Sequence, residues 1–175
     1  MNMPNWCDNQ ATITGPAPVI AKIKSILEDP DGELLAWMVP QPKFEGDQDW
    51  YAWNVENWGT KWDINDVCVD DEEDDSISFS FTTAWAPPIN AFETWARGQD
   101  GITFELKYFE GGVGFVGTTS YDGEYLDDDC VDSGSDLAEY RRIAQEEWGY
   151  EFEEEPEPLT EWYKDGVIAK GLTHD

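Results

Sequence analysis

Apolar and polar positions alternate at the start of the chain. Ala11 and Ile13 fall on one face and Gln10, Thr12 and Thr14 on the other, which predicts a strand over residues 6–14, stopped by Gly15-Pro16. The period then lengthens. Val19, Ile20, Ile23, Ile26 and Leu27 recur at helical spacing up to Asp29-Pro30, and Pro16 and Pro18 suit the first turn of that helix. Trp62, Ile64, Val67 and Val69 predict a second strand with an irregularity at Asn65-Asp66. Ile77, Phe79 and Phe81, alternating with Ser78, Ser80 and Thr82, are the clearest half-buried strand. A second helix is expected from Pro87-Pro88 to about Gly98, turning Ile89, Phe92, Trp95 and Ala96 inward. Ile102, Phe104, Leu106 and Tyr108 mark a fourth strand.

The order β-α-β-β-α-β predicts an α+β fold of ferredoxin-like, split βαβ type, an antiparallel sheet with two helices on one face. Residues 30–61 form a long Pro- and Trp-bearing insertion, and connections of that length inside compact domains often serve function. Beyond Phe109, the stretches Gly111–Gly117 and Tyr121–Leu126 predict an appended hairpin. Asp136 and Glu139 have capping-box spacing for a third helix, with Leu137, Tyr140, Ala144 and Trp148 on one stripe. An acidic, proline-interrupted tail follows, with Trp162 and Tyr163 as residues that would tie it down. The expected organisation is a ferredoxin-like domain over 1–127 and a helical, acidic extension over 128–175.

Composition adds a strong constraint. There are 39 acids against 10 bases, a formal net charge of −29, yet also 10 Trp, 8 Phe and 7 Tyr. That aromatic content separates the chain from acidic disordered sequences and is enough for a core. The charge is therefore a surface property, one that repels phosphate backbones and anionic lipid and favours basic partners. No direct nucleic-acid or membrane binding is expected. With no spanning-length apolar stretch and no leading signal segment, the reading is a cytoplasmic protein. Cys7, Cys68 and Cys130 are widely spaced without a Cys-x-x-Cys pair, so free thiols are expected rather than a metal site or disulfide framework.

Three motifs carry a family likeness. Met3-Pro4-Asn5-Trp6-Cys7-Asp8-Asn9, Asn57-Trp58-Gly59-Thr60-Lys61-Trp62-Asp63 and Phe81-Thr82-Thr83-Ala84-Trp85-Ala86-Pro87-Pro88 resemble the YubB-type ferredoxin-like domain family of bacteriophage and plasmid proteins, over roughly residues 3–110. The resemblance implies the ferredoxin-like fold and a mobile-element origin. It supplies no catalytic residue.

The remaining candidates are weighed by chemistry. Trp53, Trp58, Trp62 and Trp85 either line a cleft with Asn57 and Lys61 as polar contacts, where a small ligand would stack, or cover the sheet as core; Gly59 fits a turn requiring positive φ. The carboxylates Asp70, Asp71, Glu72, Glu73, Asp74 and Asp75 predict an acidic turn. Asp127, Asp128 and Asp129 form a second group, and Glu151, Glu153, Glu154 and Glu155 a third. Their spacing is not that of an EF-hand, since Cys130 and Ser133 fall where a ligand and a glycine are needed. The only histidine is His174, next to the C-terminal residue of the sequence, which argues against a triad on a rigid scaffold. Gly111–Gly117 lacks the Lys-Ser/Thr ending of a phosphate loop. No metal or cofactor is expected. The function expected from these features is non-enzymatic: an accessory protein whose acidic, DNA-mimic-like surface binds a host nucleic-acid-binding protein. The alternative is a small-ligand module built on the tryptophan cleft.

Overall fold

The computed structural model describes residues 5–46, 49–153, 162–164 and 167–169. A six-stranded, wholly antiparallel sheet runs in the order β2-β3-β1-β4-β5-β6. Its strands are β1 (Trp6–Thr14), β2 (Asn65–Glu72), β3 (Ser76–Ala84), β4 (Thr103–Glu110), β5 (Phe115–Tyr121) and β6 (Leu126–Asp132). Five helices accompany it among the described residues: α1 (Ala17–Glu28), α2 (Leu34–Met38), α3 (Trp50–Trp58), α4 (Ile89–Arg97) and α5 (Leu137–Trp148). Two short strands, β7 (Trp162–Lys164) and β8 (Val167–Ala169), pair with each other.

Alternation in the central strands creates two unlike faces. Ala11 and Ile13 of β1, Ile77, Phe79 and Phe81 of β3, and Phe104 and Leu106 of β4 share one cluster with Ile20 and Ile23 of α1, Leu34, Leu35 and Met38 of α2, Trp58 of α3, and Phe92 and Trp95 of α4. Each such side chain fully buried contributes about 1.5–3 kcal/mol. The opposite face starts one residue out of phase. Phe109 and Val116 join Tyr140 and Ala144 of α5 in a second, smaller cluster, so α5 lies across the other side of the sheet.

Local chemistry accounts for the element ends. Pro16 occupies the N-cap of α1, where its fixed φ and missing N–H carry no penalty. Asp49 caps α3 by accepting the Ala52 N–H at 2.9 Å, and Gly59 ends that helix at φ +88°, the positive φ expected of it. Asp136 accepts the Glu139 N–H at 3.0 Å at the start of α5. The Glu139 carboxylate pairs with Arg142 rather than reaching back to the cap.

Several expectations are corrected. The 30–61 insertion is not a bare connection: as its length suggests, it has short structure of its own, α2 and α3, whose Leu34, Leu35, Met38 and Trp58 join the main core. The 70–75 acids are not all in a turn: Asp70, Asp71 and Glu72 belong to β2, leaving Glu73, Asp74 and Asp75 to link it to β3. Asp127, Asp128 and Asp129 are likewise in β6. Both are edge strands, where backbone pairing on one side suffices and charged side chains keep the free edge from adding another strand. The hairpin strands are 115–121 and 126–132, not 111–117 and 121–126. The turn between them is fastened by Asp122 Oδ1, which accepts from the Glu124 and Tyr125 N–H groups at 2.9 and 2.8 Å. This hairpin extends the main sheet, and the expected junction at 127/128 falls inside β6. β2 begins at Asn65, so Trp62 and Ile64 lie before it, while the irregularity expected at Asn65-Asp66 is present: Asp66 adopts φ +50° and the register with β3 shifts between Asn65 and Cys68. Leu137 leaves the buried stripe of α5 and is exposed.

Candidate recognition surface

Two of the three candidate acidic groups lie at opposite margins of the sheet. Five inter-strand steps of about 4.8 Å put β2 and β6 about 24 Å apart. Asp70, Asp71, Glu73, Asp74 and Asp75 at one margin and Asp127, Asp128 and Asp129 at the other are all exposed. Among the described residues none of these eight is in an ion pair; Glu72 alone of the two groups has a cation, Lys24 at 2.6 Å. The remaining bases in described ion pairs, Arg97, Lys107 and Arg142, serve Glu93, Glu147, Glu139 and Glu146.

The α5 side of the sheet draws several of these carboxylates toward one face. Ser80 lies on that side and hydrogen-bonds Asp70 at 3.3 Å. The register of β6 on β5 sets Asp127 opposite Ser120 and Asp129 opposite Thr118, in phase with Val116 under α5. Glu151 and Glu153 are exposed on either side of Phe152, which packs on Tyr140 of α5. Asp128 is the exception. It points to the other side, where it accepts hydrogen bonds from Tyr108 Oη at 2.8 Å and Thr119 Oγ1 at 2.7 Å. Glu154, Glu155 and His174 lie outside the described residues.

The tryptophan motif separates into an inner and an outer half. Trp58 is buried and donates its indole N–H to the Val39 carbonyl at 2.9 Å, while Trp53 packs edge-on against it and Asn57 donates to the Trp53 carbonyl. The outer half faces solvent. Lys61 Nζ stands 4.5 Å from the ring centroid of Trp62, 5.0 Å from that of Trp85 and 5.5 Å from that of Tyr51. Trp6 abuts Trp62 and Trp50 abuts Tyr51, so five partly exposed rings form one array around an ammonium. Trp50, Tyr51 and Trp6 lie outside the cleft that the sequence pattern points to. The signal available for Trp50 and Tyr51 is their place in the same Trp-rich run; for Trp6, distant in sequence, pairing of β1 with β3 is what brings it near Trp85.

Neighbouring backbone holds this array in place. Asp63 accepts the N–H groups of Leu35, Ala36 and Ile64 at 2.8–2.9 Å, tying the 59–63 turn to the start of α2; burial nonetheless raises its pKa above the ordinary carboxylate value. Thr60 donates to the Ala84 carbonyl at 2.8 Å. Trp85 sits at φ +69° with its N–H on the Asn5 carbonyl. Trp62 also lines a groove of about 340 Å³ together with Trp50, Trp58, Glu33 and Asp63. Among the described residues no group of three His, Cys, Asp or Glu side chains converges as a metal site, and no helix is long and apolar enough to cross a membrane.

Comparison with known proteins bears on the fold. No curated protein matches the chain. A solved structure, the protein api92 from Yersinia pseudotuberculosis, superposes with a TM-score of 0.55 at 10% sequence identity, covering 73% of this chain and 98% of that one. At that identity the likeness is one of architecture. The family model described as the ferredoxin-like domain in Api92-like protein matches residues 57–158, a span that runs from the end of α3 through β2, β3, α4, β4, β5, β6 and α5. The chain belongs to this family of Api92-like ferredoxin-like domains.

Proposed function

We propose that this protein works by binding rather than by catalysis, presenting carboxylates on the α5 side of its sheet to the basic surface of a host protein that itself binds nucleic acid. The observation that carries the reading is the pattern of neutralisation: the molecule's described ion pairs leave the carboxylates of both sheet margins, Glu72 apart, without cations. A standard protein interface of about 800 Å² per partner is roughly 28 Å across, wide enough to engage both margins at once. A partner built to grip phosphates carries the lysines and arginines that such a surface would satisfy. On this reading the protein is an accessory factor of phage or plasmid origin, acting in the cytoplasm of a bacterial host as a decoy for nucleic acid. We also read the first four strands with α1 and α4 as the split βαβ unit, supported by the order β2-β3-β1-β4.

The test uses the immobilised full chain and a variant neutralised on one face, Asp70→Asn, Asp127→Asn, Asp129→Asn, Glu151→Gln and Glu153→Gln. Nucleic-acid-binding proteins retained from a bacterial lysate should be released by duplex DNA and by moderate salt, and should not be retained by the variant. Retention that is indifferent to salt, or equal on both columns, refutes the proposal.

A further inference from the structure

We propose that Tyr51, Trp62 and Trp85 form a cage for a lysine side chain of the partner, and that Lys61 is its internal occupant, displaced on docking. This rests on the reading that the partner is basic. An ammonium within about 6 Å of an aromatic centroid is attracted by the electron-rich ring face, and cages of several rings recognise alkylammonium groups by this means. Lys61 meets that condition at three rings from three separate places: α3, the turn after it, and the corner between β3 and α4.

Two independent observations make the cage more than a packing accident. In a chain with 39 acids and 10 bases, Lys61 has no carboxylate within ion-pairing distance among the described residues; the rings hold it instead. Trp85 adopts φ +69°, a left-handed conformation that L side chains other than Asn and Asp rarely tolerate. Such strain persists where surrounding structure imposes it, often at ligand clamps. Here it accompanies an indole that is 37% exposed, turned out of the core and onto the cage. The surrounding apolar rings, Trp6 and Trp50, are exposed by 42% each, and contiguous exposed aromatic surface marks an interaction site. Charge complementarity selects the occupant: the field of a −29 protein concentrates cations and repels the phosphate of a nucleotide.

The experiment needs no partner, so its failure strikes the cage alone, whereas failure of the neutralised-face column strikes the acidic surface. Tetramethylammonium chloride is titrated into the full-length protein at constant ionic strength, balanced with sodium chloride, and the indole N–H resonances are followed by NMR. Removal of the internal occupant by Lys61→Ala should tighten binding about tenfold, as for any site freed from a state closed nine-tenths of the time. The shifts should localise to Trp62 and Trp85, spare buried Trp58, and vanish in Lys61→Ala/Trp85→Ala. Lys61→Ser replaces the alanine variant if that variant's melting curve shows loss of fold. Equal affinity in wild type and Lys61 variant, no saturable shift, or a response of the same indoles to adenosine monophosphate instead would overturn the proposal.

Discussion

Replacing Trp58 by alanine and Trp85 by glycine, separately, tests whether one motif contains both a core and a surface tryptophan. Trp58 is 3% exposed, wedged among α2, α3 and α4, with its indole N–H on Val39. Truncating a buried tryptophan costs about 3–5 kcal/mol, and the abandoned Val39 carbonyl adds about 1 kcal/mol. For a chain of this size each kcal/mol moves the melting temperature by roughly 2–4 °C, so a loss of roughly 8–24 °C is expected. Trp85→Gly works in opposite directions. Relief of the left-handed backbone returns about 1–2 kcal/mol. Against it stand about 0.5–1 kcal/mol for the contact with Lys61 and about 0.5–1 kcal/mol for the freer glycine in the unfolded chain. The covered part of the indole, which is 37% exposed, adds a loss of roughly 2–4 kcal/mol. The net is a loss of about 3 kcal/mol against about 5 kcal/mol for Trp58→Ala, and the melting temperature should fall by roughly 6–12 °C. Thermal unfolding followed by far-UV circular dichroism measures both. A Trp85→Gly variant destabilised as much as Trp58→Ala, or a Trp58→Ala variant that melts within 3 °C or so of wild type, would refute the division into inner and outer halves.

Further expectations concern packing, protons and salt. At Gly117 a Cβ would lie 2.5 Å from the Asp129 carbonyl oxygen and closer still to Tyr108 Oη, so Gly117→Ala should lose about 1–3 kcal/mol in urea denaturation. Burial, reinforced by Asp8 and Glu110, pushes the Cys7 thiol well above its ordinary 9.0. The unfolded chain therefore gives up that proton first, and stability present below pH 9 should fall by about 1.4 kcal/mol per pH unit above it. Tyr108, raised by burial and by its neighbours Cys130 and Asp128, adds to this decline above its own ordinary 10.0. Urea midpoints measured from pH 8 to 11 on wild type and Cys7→Val should differ in slope, and equal slopes would refute the assignment. A thiol reagent should label Cys68 and Cys130, which are exposed, in the native protein, and Cys7 only after unfolding. Potassium chloride should raise the melting temperature, because screening weakens repulsion among the unpaired carboxylates.

Short-range pattern was enough for most of the elements. β1, α1, β3 and α4 each bury one face against a single core, so the periods of Ala11 and Ile13, of Ile20 and Ile23, and of Phe79 and Phe81 are the packing itself written along the chain. The positive φ at Gly59 and the cap at Asp136 were equally legible, since each depends on a few adjacent residues. Where two strands are edges the local pattern failed. Asp70 to Glu72 and Asp127 to Asp129 carry no hydrophobic alternation because ladder bonds to β3 and β5 hold them extended, and those partners are distant choices made by the whole sheet.

The candidate site divides along the same line. The sequence by itself determined that the chain would fold around aromatics, carry an excess of ionised oxygens outward, and concentrate tryptophan between residues 50 and 62. Only the tertiary structure decided which tryptophans are inside, that Lys61 stands among Tyr51, Trp62 and Trp85, that Trp6 joins them, and that the carboxylates are shared between opposite margins. The reason is physical: a helical or alternating period reports one residue's burial relative to its neighbours, whereas a surface is assembled from segments whose separation along the chain carries no information about their approach in space.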